Sequence, residues 1–568
     1  MGKVKLGLLA AFLACDWQGI ADRVLSLGMS PALAAYVSLY ALLAAALVAT
    51  AWIPRAPVRL GMAVLLAISA AALLGYQRTT GSPLDYAAFE AMVAATGDAG
   101  EAWAQHAGTL LGAVATAMLV AVGIALPPGP SRVARSPLLT LPLGALALLA
   151  IIFYLRDGEG GRGLPAPFPP LAHAAIYGAL KAIEPDAPRE AVRWPAPRRG
   201  PEGDIVLIVD ESIAARYLDI NDPRGVASGL ARSRPGLTVA NFGVAAAATN
   251  CSAGSNAILR FGGTPDSFQR AIKVYPSIWS YARKAGLRTV YLDGQRAGGQ
   301  LQNLMTPEEK AGIDDFEQFE SVPVIERDHV LAERIAAHLA NGRREFIFVN
   351  KIGAHFPVAD KFPPERARYR PLPPRASGGA ATDVRTVVGR TGSPGEWRLY
   401  RNAYRNTVAW NVGAFFNRLL PRMIRTPAVL LYTSDHGQDL HERGNPGQTT
   451  HCHADPLAEQ GAVPLVIVDS ATSPRFDWQA AARRNHDRMD HFRLFATVLA
   501  LMGYDRRDIA GRYGPDAMVP ADGPLRFTYT FSAGLGRAPS WRVIDPARLA
   551  SPPAADAGGI IAGSRAAR

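Results

Sequence analysis

Charged residues are scarce in the first part of the chain, and cysteine is scarce throughout. Among 568 residues, 19% are charged and three are cysteine. Most of the long charge-free runs lie between residues 24 and 155, whereas the remainder alternates like a globular domain. The scarcity of charge excludes an ordinary water-exposed surface for the first part and indicates membrane-spanning helices. The length exceeds that of one compact core, so at least two domains are expected.

Four apolar runs are long enough, or nearly so, to cross the hydrocarbon core of a bilayer, which needs about 20 helical residues. They are Pro31 to Ile53, Leu60 to Tyr76, Ala107 to Pro127 and Pro137 to Leu155. The short loops at residues 55–59 and 132–135 carry arginine pairs, whereas residues 78–106 are mainly acidic. Arginine-rich loops face the cytoplasm. The chain after the fourth run should therefore lie outside the membrane, in the periplasm of a Gram-negative cell.

A fifth apolar run, Leu6 to Cys15, is short. It follows a basic start, but no convincing small-residue cleavage site follows it, which argues against a signal peptide. Because Lys3 and Lys5 also belong inside, this run should cross the membrane by extending through Ile20 to Val24. The sequence thus predicts a multi-pass protein of the bacterial inner membrane with about five spans.

The rest of the chain alternates apolar strand patterns with helical stretches. Continuous apolar runs, typical of strands buried on both faces of a parallel sheet, are DIVLIVD, LRTVYLD, REFIFVN, AVLLYTSD and VPLVIVD. We predict an α-helical transmembrane bundle followed by an α/β domain with a mostly parallel central sheet. The predicted boundaries are 1–155 for the bundle, 156–203 for a bridge, 204–546 for the α/β domain and 547–568 for a tail. In the bridge, His173 to Ile183 predicts a helix that lies on the membrane surface or packs on the next domain.

Carboxylates and an imidazole stand at the ends of two of these strands. Asp210 and Glu211 follow one strand, and Asp435 and His436 follow another. In open α/β sheets, ligands bind beyond the carboxyl ends of the strands. These residue types suit a divalent metal, most of all zinc, and Asp210 is the reserve ligand of the set. The alternative is a strand-end aspartate that caps the next element.

A nucleophile is the next requirement, and the segment ATNCSAGSNAILRFGG offers Thr249, Ser252 and Ser255 ahead of an apolar helical stretch. A hydroxyl at a helix N-terminus lies where exposed N–H groups and the helix dipole favour an anion such as a phosphoryl group. The alternative is that Thr249 or Ser252 only caps the helix.

The order of DIVLIVDES, ATNCSAGSN, NKIGAHFP and YTSDHG resembles the alkaline phosphatase and sulfatase superfamily, most of all its membrane-bound phosphoethanolamine transferases. The resemblance extends over nearly the whole chain. It implies five N-terminal spans and a periplasmic, zinc-dependent catalytic domain. The segment LDYAAFEAMVAATGDAGEA is similar to the family's loop that helps to bind the lipid donor, so Thr96 and Glu101 are expected to contact an ammonium headgroup.

The resemblance also implies roles for individual residues. Glu211 is a metal ligand where the family has Gly-Glu and this chain has Asp-Glu, and Asp435 and His436 match the family's Asp-His ligand pair. His355 matches a second-site or substrate-phosphate histidine, although Phe356 replaces the family's glycine. The two remaining candidates for a substrate-binding histidine are His451 and His453.

The nucleophile segment departs most from the family. The transferases carry a threonine before a pattern that Thr249 matches only with a one-residue shift. Laid over the sulfatase pattern Cys-x-Pro-Ser-Arg, Ser252 falls on the modified cysteine, but Gly254 and Asn256 replace the proline and arginine that formylglycine formation needs. We therefore expect a plain hydroxyl nucleophile, Ser252 ahead of Thr249, that forms a phospho-enzyme after metal lowers its pKa. His355, or a partner at 451 or 453, is the expected proton donor to the departing diacylglycerol.

Three functions remain open. The first is transfer of phosphoethanolamine from phosphatidylethanolamine to a cell-envelope lipid or glycan. The second is phosphoglycerol transfer, or hydrolysis of a phosphodiester or sulfate ester. The third is a non-catalytic protein that binds envelope glycan. The net charge of +12 suits an anionic lipid or glycan acceptor at the membrane, and without a nucleic-acid motif no nucleic-acid partner is expected.

Only two cysteines lie outside the first apolar run. Cys251 and Cys452 flank the candidate nucleophile and the candidate histidine pair. In an oxidising compartment they form a disulfide that ties the nucleophile loop to the other side of the site; two buried, unpaired thiols are the alternative.

Overall fold

The computed structural model describes residues 2–80, 84–94, 99–128, 137–156, 158–183, 188–375, 393–445, 450–452, 455–470, 476–529 and 538–554. The chain divides into two compact units. The first comprises Met1–Asp186 with Ser532–Ala538, and the second comprises Ala187–Phe531 with Pro539–Arg568.

The first unit is helical. Its helices are α1 (Gly2–Ala14), α2 (Trp17–Leu27), α3 (Pro31–Ala51), α4 (Ala56–Thr80), α5 (Tyr86–Ala94), α6 (Ala99–Ala125), α7 (Pro137–Leu155) and α8 (Pro169–Ile183). Leu43, Leu73 and Phe153 are buried between the helices, whereas Ile68 and Leu111 are more than half exposed. A bundle with apolar residues both inside and outside fits a lipid surrounding.

Within the described residues, three helices are long and apolar enough to cross a membrane, namely Pro31–Ala51, Ala56–Thr79 and Ala107–Ala125. Gly2–Ala14 and Trp17–Leu25 would together form a fourth span, bent by 59°. The described apolar part of α7, Thr140–Leu155, is shorter. The predicted total of five spans stays a prediction, because the run from Leu6 continues past Cys15 as a bent pair of helices and the described part of α7 is short.

The predicted bridge is divided between the two units. Helix α8 packs on α7 and α4 within the first unit. From residue 188 the chain lies on the second unit, where the backbone N–H of Glu190 donates to Val274 O at 2.8 Å. The Trp194 ring lies 5.2 Å from that of Tyr281.

A seven-stranded sheet organises the second unit, in the order β2-β7-β6-β1-β5-β3-β4. The strands are β1 (Asp204–Asp210), β2 (Thr238–Ala246), β3 (Arg288–Asp293), β4 (Asp315–Gln318), β5 (Glu345–Asn350), β6 (Ala428–Ser434) and β7 (Ala462–Asp469), and β8 (Leu525–Thr528) and β9 (Trp541–Ile544) form a separate pair. Strand β1 pairs in parallel with β5 and β6, whereas β7 is antiparallel to both of its neighbours. The predicted fold class, with a mostly parallel sheet, is confirmed.

Helices cover both faces of this sheet. They are α9 (Ser252–Phe261), α10 (Phe268–Val274), α11 (Ile278–Lys284), α12 (Pro307–Lys310), α13 (Val324–Leu339), α14 (Pro394–Val408), α15 (Phe415–Met423), α16 (Trp478–Arg484), α17 (His491–Leu501) and α18 (Arg506–Tyr513), with a π-helix at Ala409–Ala414 between α14 and α15. Along β1, Val206 and Ile208 belong to one core, and Leu207 and Val209 belong to the other. Burial on both faces explains the continuous apolar run.

The register of the central strands positions the site. Asp210 at the end of β1 pairs with Ser434 at the end of β6, and Val209 pairs with Asn350 at the end of β5. The residues that follow these three strands therefore leave the sheet side by side, at its carboxyl edge.

Candidate metal and nucleophile site

Three buried side chains converge at this edge, namely Glu211, Asp435 and His436. Each offers one ligand atom, and these atoms lie within 4.8 Å of one another. His436 Nε2 lies 3.3 Å from Glu211 Oε1 and 3.7 Å from Asp435 Oδ2. Residues from two strand ends, more than 200 positions apart in the chain, thus form one cluster.

Main-chain and hydroxyl groups hold the two carboxylates. Asp435 Oδ1 accepts from the backbone N–H of Ser212 at 3.0 Å and of His436 at 2.7 Å. The Ser212 hydroxyl donates to Glu211 Oε1 at 2.7 Å. Asp435 Oδ2 is buried and has no hydrogen-bond partner, so one carboxylate oxygen lacks a partner within the cluster.

The charges in this cluster are strongly coupled. Burial and the neighbouring Glu211 raise the pKa of Asp435 to about 8. Burial alone would lower the pKa of His436, but Asp435 and Glu211 raise it to about 9. The crowding of two carboxylates therefore favours protons on Asp435 and His436, and a divalent cation between these groups would take the place of those protons.

The donor set fits zinc. His436 Nδ1 donates to Gly437 O at 2.8 Å, so Nε2 is the nitrogen that becomes free to bind a cation once it loses its proton. One imidazole nitrogen and two carboxylates match zinc's preferred ligands and leave a further position for substrate or nucleophile. The unpartnered Asp435 Oδ2 supplies a ready ligand atom.

The structure places Ser252 at this cluster. Its Oγ lies 3.4 Å from each Glu211 carboxylate oxygen and 3.3 Å from His436 Nε2. Ser252 is the first residue of α9, so its hydroxyl also lies at a helix N-terminus. The Thr249 hydroxyl, the other candidate, is buried and donates to Cys251 O at 2.6 Å. The geometry therefore favours Ser252 as the nucleophile.

Two predicted histidines lie beside the cluster. The His451 ring stacks on His436 with centroids 4.3 Å apart, and on Phe356 at 5.5 Å. His355 Nδ1 donates to Phe356 O at 2.8 Å. Burial lowers the pKa of His355, although the Glu211 charge opposes this. In the neutral ring, with Nδ1 donating, Nε2 is the acceptor nitrogen.

Asp210, the predicted reserve ligand, does not join the cluster. The Asp210 carboxylate binds Lys351 Nζ at 2.7 Å instead. His453 and Thr96 lie outside the described residues, and so does the side chain of Glu101. Their predicted roles in substrate binding stay predictions.

The disulfide between Cys251 and Cys452 is present, with the two Cα atoms 4.9 Å apart. It joins the residue before Ser252 to the residue after His451. The segments that carry the candidate nucleophile Ser252 and the stacked histidine are therefore covalently linked by cysteines 201 positions apart in sequence.

Sequence reasoning missed Gln295, which follows β3. Its Nε2 donates to Glu211 Oε2 at 3.2 Å and to Lys351 O at 2.7 Å. The signal was present, because the strand-end rule applies equally to the polar residues after LRTVYLD and REFIFVN.

The comparisons with known proteins concern the family and the fold. Residues 204–504 match the family described as Sulfatase. The fold is similar to the integral membrane protein lipooligosaccharide phosphoethanolamine transferase A from Neisseria meningitidis, with a TM-score of 0.62, 18% identity, and coverage of 90% of this chain and 98% of that one. Similarity is lower to the C-terminal periplasmic domain of EcEptC from Escherichia coli in complex with Zn, with a TM-score of 0.46, 16% identity, and coverage of 64% and 98%. No curated protein matches the chain significantly. The family match spans more than half of the chain, and the protein belongs to the sulfatase family.

Proposed function

We propose that the protein transfers phosphoethanolamine from phosphatidylethanolamine to a cell-envelope lipid or glycan, through a phosphoserine at Ser252. The observation that carries the proposal is the Ser252 hydroxyl, 3.3 Å from His436 Nε2 and 3.4 Å from the Glu211 carboxylate. The fold likeness to a lipooligosaccharide phosphoethanolamine transferase, over nearly the whole of both chains, supports this reaction class.

Glu211, Asp435 and His436 would hold a divalent metal, most suitably zinc. When bound, the metal supplies positive charge that favours ionisation of a hydroxyl and stabilises a phosphoryl group in transfer. The chain's own residues position the reactants. Ser252 presents its Oγ, and the stack of His436, His451 and Phe356 forms one wall beside it.

The reaction has two displacements. In the first, a bond forms between Ser252 Oγ and the donor phosphorus while the bond from phosphorus to the diacylglycerol oxygen breaks. We assign the serine proton to the acceptor nitrogen of His355 or to His451, which then passes it to the diacylglycerol oxygen. In the second, an oxygen of the acceptor hydroxyl or phosphate forms a bond to the phosphorus while the bond from phosphorus to Ser252 Oγ breaks, and the acceptor's proton passes through the same histidine to Ser252 Oγ.

A diacyl phospholipid donor remains in the bilayer, so its enzyme must work at the headgroup plane. The apolar helices of the first unit suit anchoring in the bacterial inner membrane, with the second unit in the periplasm. The excess of basic residues suits an anionic acceptor.

The test is mass spectrometry of envelope lipids and glycans from cells with the intact protein, with Ser252→Ala, with Thr249→Ala, or without the protein. We expect a mass gain of one phosphoethanolamine unit that Ser252→Ala abolishes and Thr249→Ala retains at least in part. A phosphoglycerol increment would instead indicate the other transferase. Loss of an ester without a new adduct would indicate a hydrolase, and unchanged profiles would indicate a binding protein.

A further inference from the structure

A second group of buried charged side chains lies next to the cluster of Glu211, Asp435 and His436. The proposed reaction does not use this group. Lys351 Nζ binds Asp210 Oδ2 at 2.7 Å and lies 3.6 Å from Asp328 Oδ2. The three side chains are at most 1% exposed. Separating the partners of an ion pair so deeply buried would leave an uncompensated charge away from water. The pair is therefore held in one arrangement.

This group is directly connected to the metal cluster. The backbone N–H of Glu211 donates to Asp210 Oδ1 at 3.2 Å, and that of Asp435 donates to Asp210 O at 2.9 Å. The carbonyl of Lys351 accepts from Gln295, whose amide also donates to Glu211. Lys351 therefore acts on the Asp-Glu pair from both sides, through its ammonium and through its carbonyl.

The place for the Lys351 ammonium is built by an irregular element. Asn411, on the π-helix Ala409–Ala414, accepts from Lys351 Nζ at 2.7 Å through its carbonyl. The Asn411 amide donates to Gly353 O at 2.6 Å. Single π-turns inside helices are frequent at functional sites, and this one presents a carbonyl to a buried cation.

The turn after Lys351 passes close to the same carboxylate. Gly353 has φ +51°, and a Cβ there would lie 2.3 Å from Asp210 Oδ1. Tyr432 donates to Asp210 Oδ2 at 3.0 Å. Both oxygens of Asp210 thus accept hydrogen bonds. Without Lys351, Asp210 would keep the bonds from Tyr432 and the Glu211 N–H but lose its closest cation, so a metal ion bound at the neighbouring Glu211 would attract it.

We infer that Lys351 is a positioning residue that keeps the Asp210 carboxylate out of the metal cluster and so leaves Glu211 as the carboxylate that faces the metal and Ser252. The inference rests on the proposed function for its kinetic consequence. Its structural consequence, the ligand set around the ion, is independent of the reaction.

The test uses the full-length protein in detergent, loaded with Co²⁺ in place of zinc, because the visible absorption of Co²⁺ reports ligand number and geometry. We expect Lys351→Met to change this spectrum and to lower kcat by about tenfold or more, as for other residues that orient metal ligands. KM for the lipid donor should stay within about twofold, because Lys351 does not touch substrate. The double variant Lys351→Met with Asp210→Asn should recover both the spectrum and kcat, since the neutral amide no longer competes for the ion.

Glu309→Gln is the matched control, because it breaks another buried ion pair, with Arg260 at 2.7 Å. We expect it to lower stability and leave the Co²⁺ spectrum unchanged. An unchanged spectrum in folded Lys351→Met would overturn the inference, and so would a double variant no better than the single one. If the single variant does not fold, a folded double variant with the parent spectrum supports the inference, and any other result overturns it. Spectral coupling without transfer activity in the parent would refute only the proposed function.

Discussion

Among the described residues of the second unit, two places bring two carboxylates and one histidine together, and they differ in how well they suit a metal. Glu211, Asp435 and His436 lie at the carboxyl edge of the sheet, and Asp315, Glu317 and His338 lie at the outer strand β4 and helix α13. Each set offers ligand atoms within 4.8 Å of one another. The first set is buried, whereas the second is half-buried.

The neighbours of the two clusters make the difference. In the second, Arg334 binds Glu317 at 2.6 Å, and Arg288 lies 3.6 Å from Asp315. His338 lies between Glu317 and Glu345, and these carboxylates raise its pKa despite its burial. Protein cations therefore already balance these acids. At the first cluster, no lysine or arginine in the described part of the chain forms an ion pair with Glu211 or Asp435. Residue types alone do not define a metal site; the balance of local charge does.

The largest expected effect tests this comparison directly. We expect His436→Ala to remove tight zinc binding and to lower turnover by about 10³-fold or more. The substitution deletes one ligand, and without the imidazole the carboxylates of Glu211 and Asp435 repel each other. His338→Ala is the matched change at the second cluster and should keep one tightly bound zinc and most of the activity. Zinc content after dialysis, measured alongside turnover, decides the matter. Loss of zinc from His338→Ala would break the comparison.

The disulfide offers a second test, because it links the nucleophile to the metal-side wall without contributing a ligand. Cys251→Ser with Cys452→Ser should reduce the free energy of unfolding by about 2–5 kcal/mol. It should also lower kcat, since Ser252 and His451 are then tied only by non-covalent contacts. Zinc affinity should remain near that of the parent. Unfolding in denaturant and competition with a zinc chelator measure the two effects, and a large fall in zinc affinity would show that the bond also holds the ligands.

Much of this architecture was predictable from the sequence, for a physical reason. Strands buried on both faces read as uninterrupted apolar runs, so β1, β3, β5, β6 and β7 were identified. Strand β4 was missed because an edge strand of four half-buried residues, DFEQ, carries no such signal. Strand β2 was missed because Asn241 and Gly243 interrupt it, where its register on β7 shifts. An apolar run does not indicate the direction of a strand, so the antiparallel direction of β7 was not predicted.

The features of the site likewise divide into those that the sequence predicts and those that it does not. Glu211, Asp435 and His436 follow from the rule that ligands bind at strand ends. Which of two adjacent acids faces the cluster does not follow, because it depends on the pairing of Asp210 with Lys351, 141 positions later. The disulfide was one of two open alternatives, since the distance between two loops appears only after folding.

A third test concerns the charge on His338. Its pKa is raised in the folded state, first by Glu317 and then by Glu345, against the effect of burial. The stabilisation is therefore fully present below the unfolded histidine pKa of about 6.5 and is lost as pH rises through the higher folded value. We expect His338→Gln to remove this pH-dependent contribution, which is about 1 kcal/mol of the free energy of unfolding, as for one net hydrogen bond with a charged group. The Tm of the variant should therefore change less with pH than that of the parent. Parallel Tm profiles for parent and variant across this range would show that His338 is neutral.

The smallest effect belongs to Arg334, whose side chain is half exposed. Arg334→Gln should change stability by less than about 1 kcal/mol, because exposed ion pairs contribute little. This substitution is informative because it removes a cation from the second cluster. With Arg334 removed, His338 is the one close cationic partner of Glu317 among the described residues. We then expect weak binding of a second Zn²⁺ at high pH, where His338 is neutral. Isothermal titration of the parent and the variant, each already holding one zinc, measures this. Equal second-site binding in both would mean that the arginine does not block the metal, and that burial alone separates the two clusters.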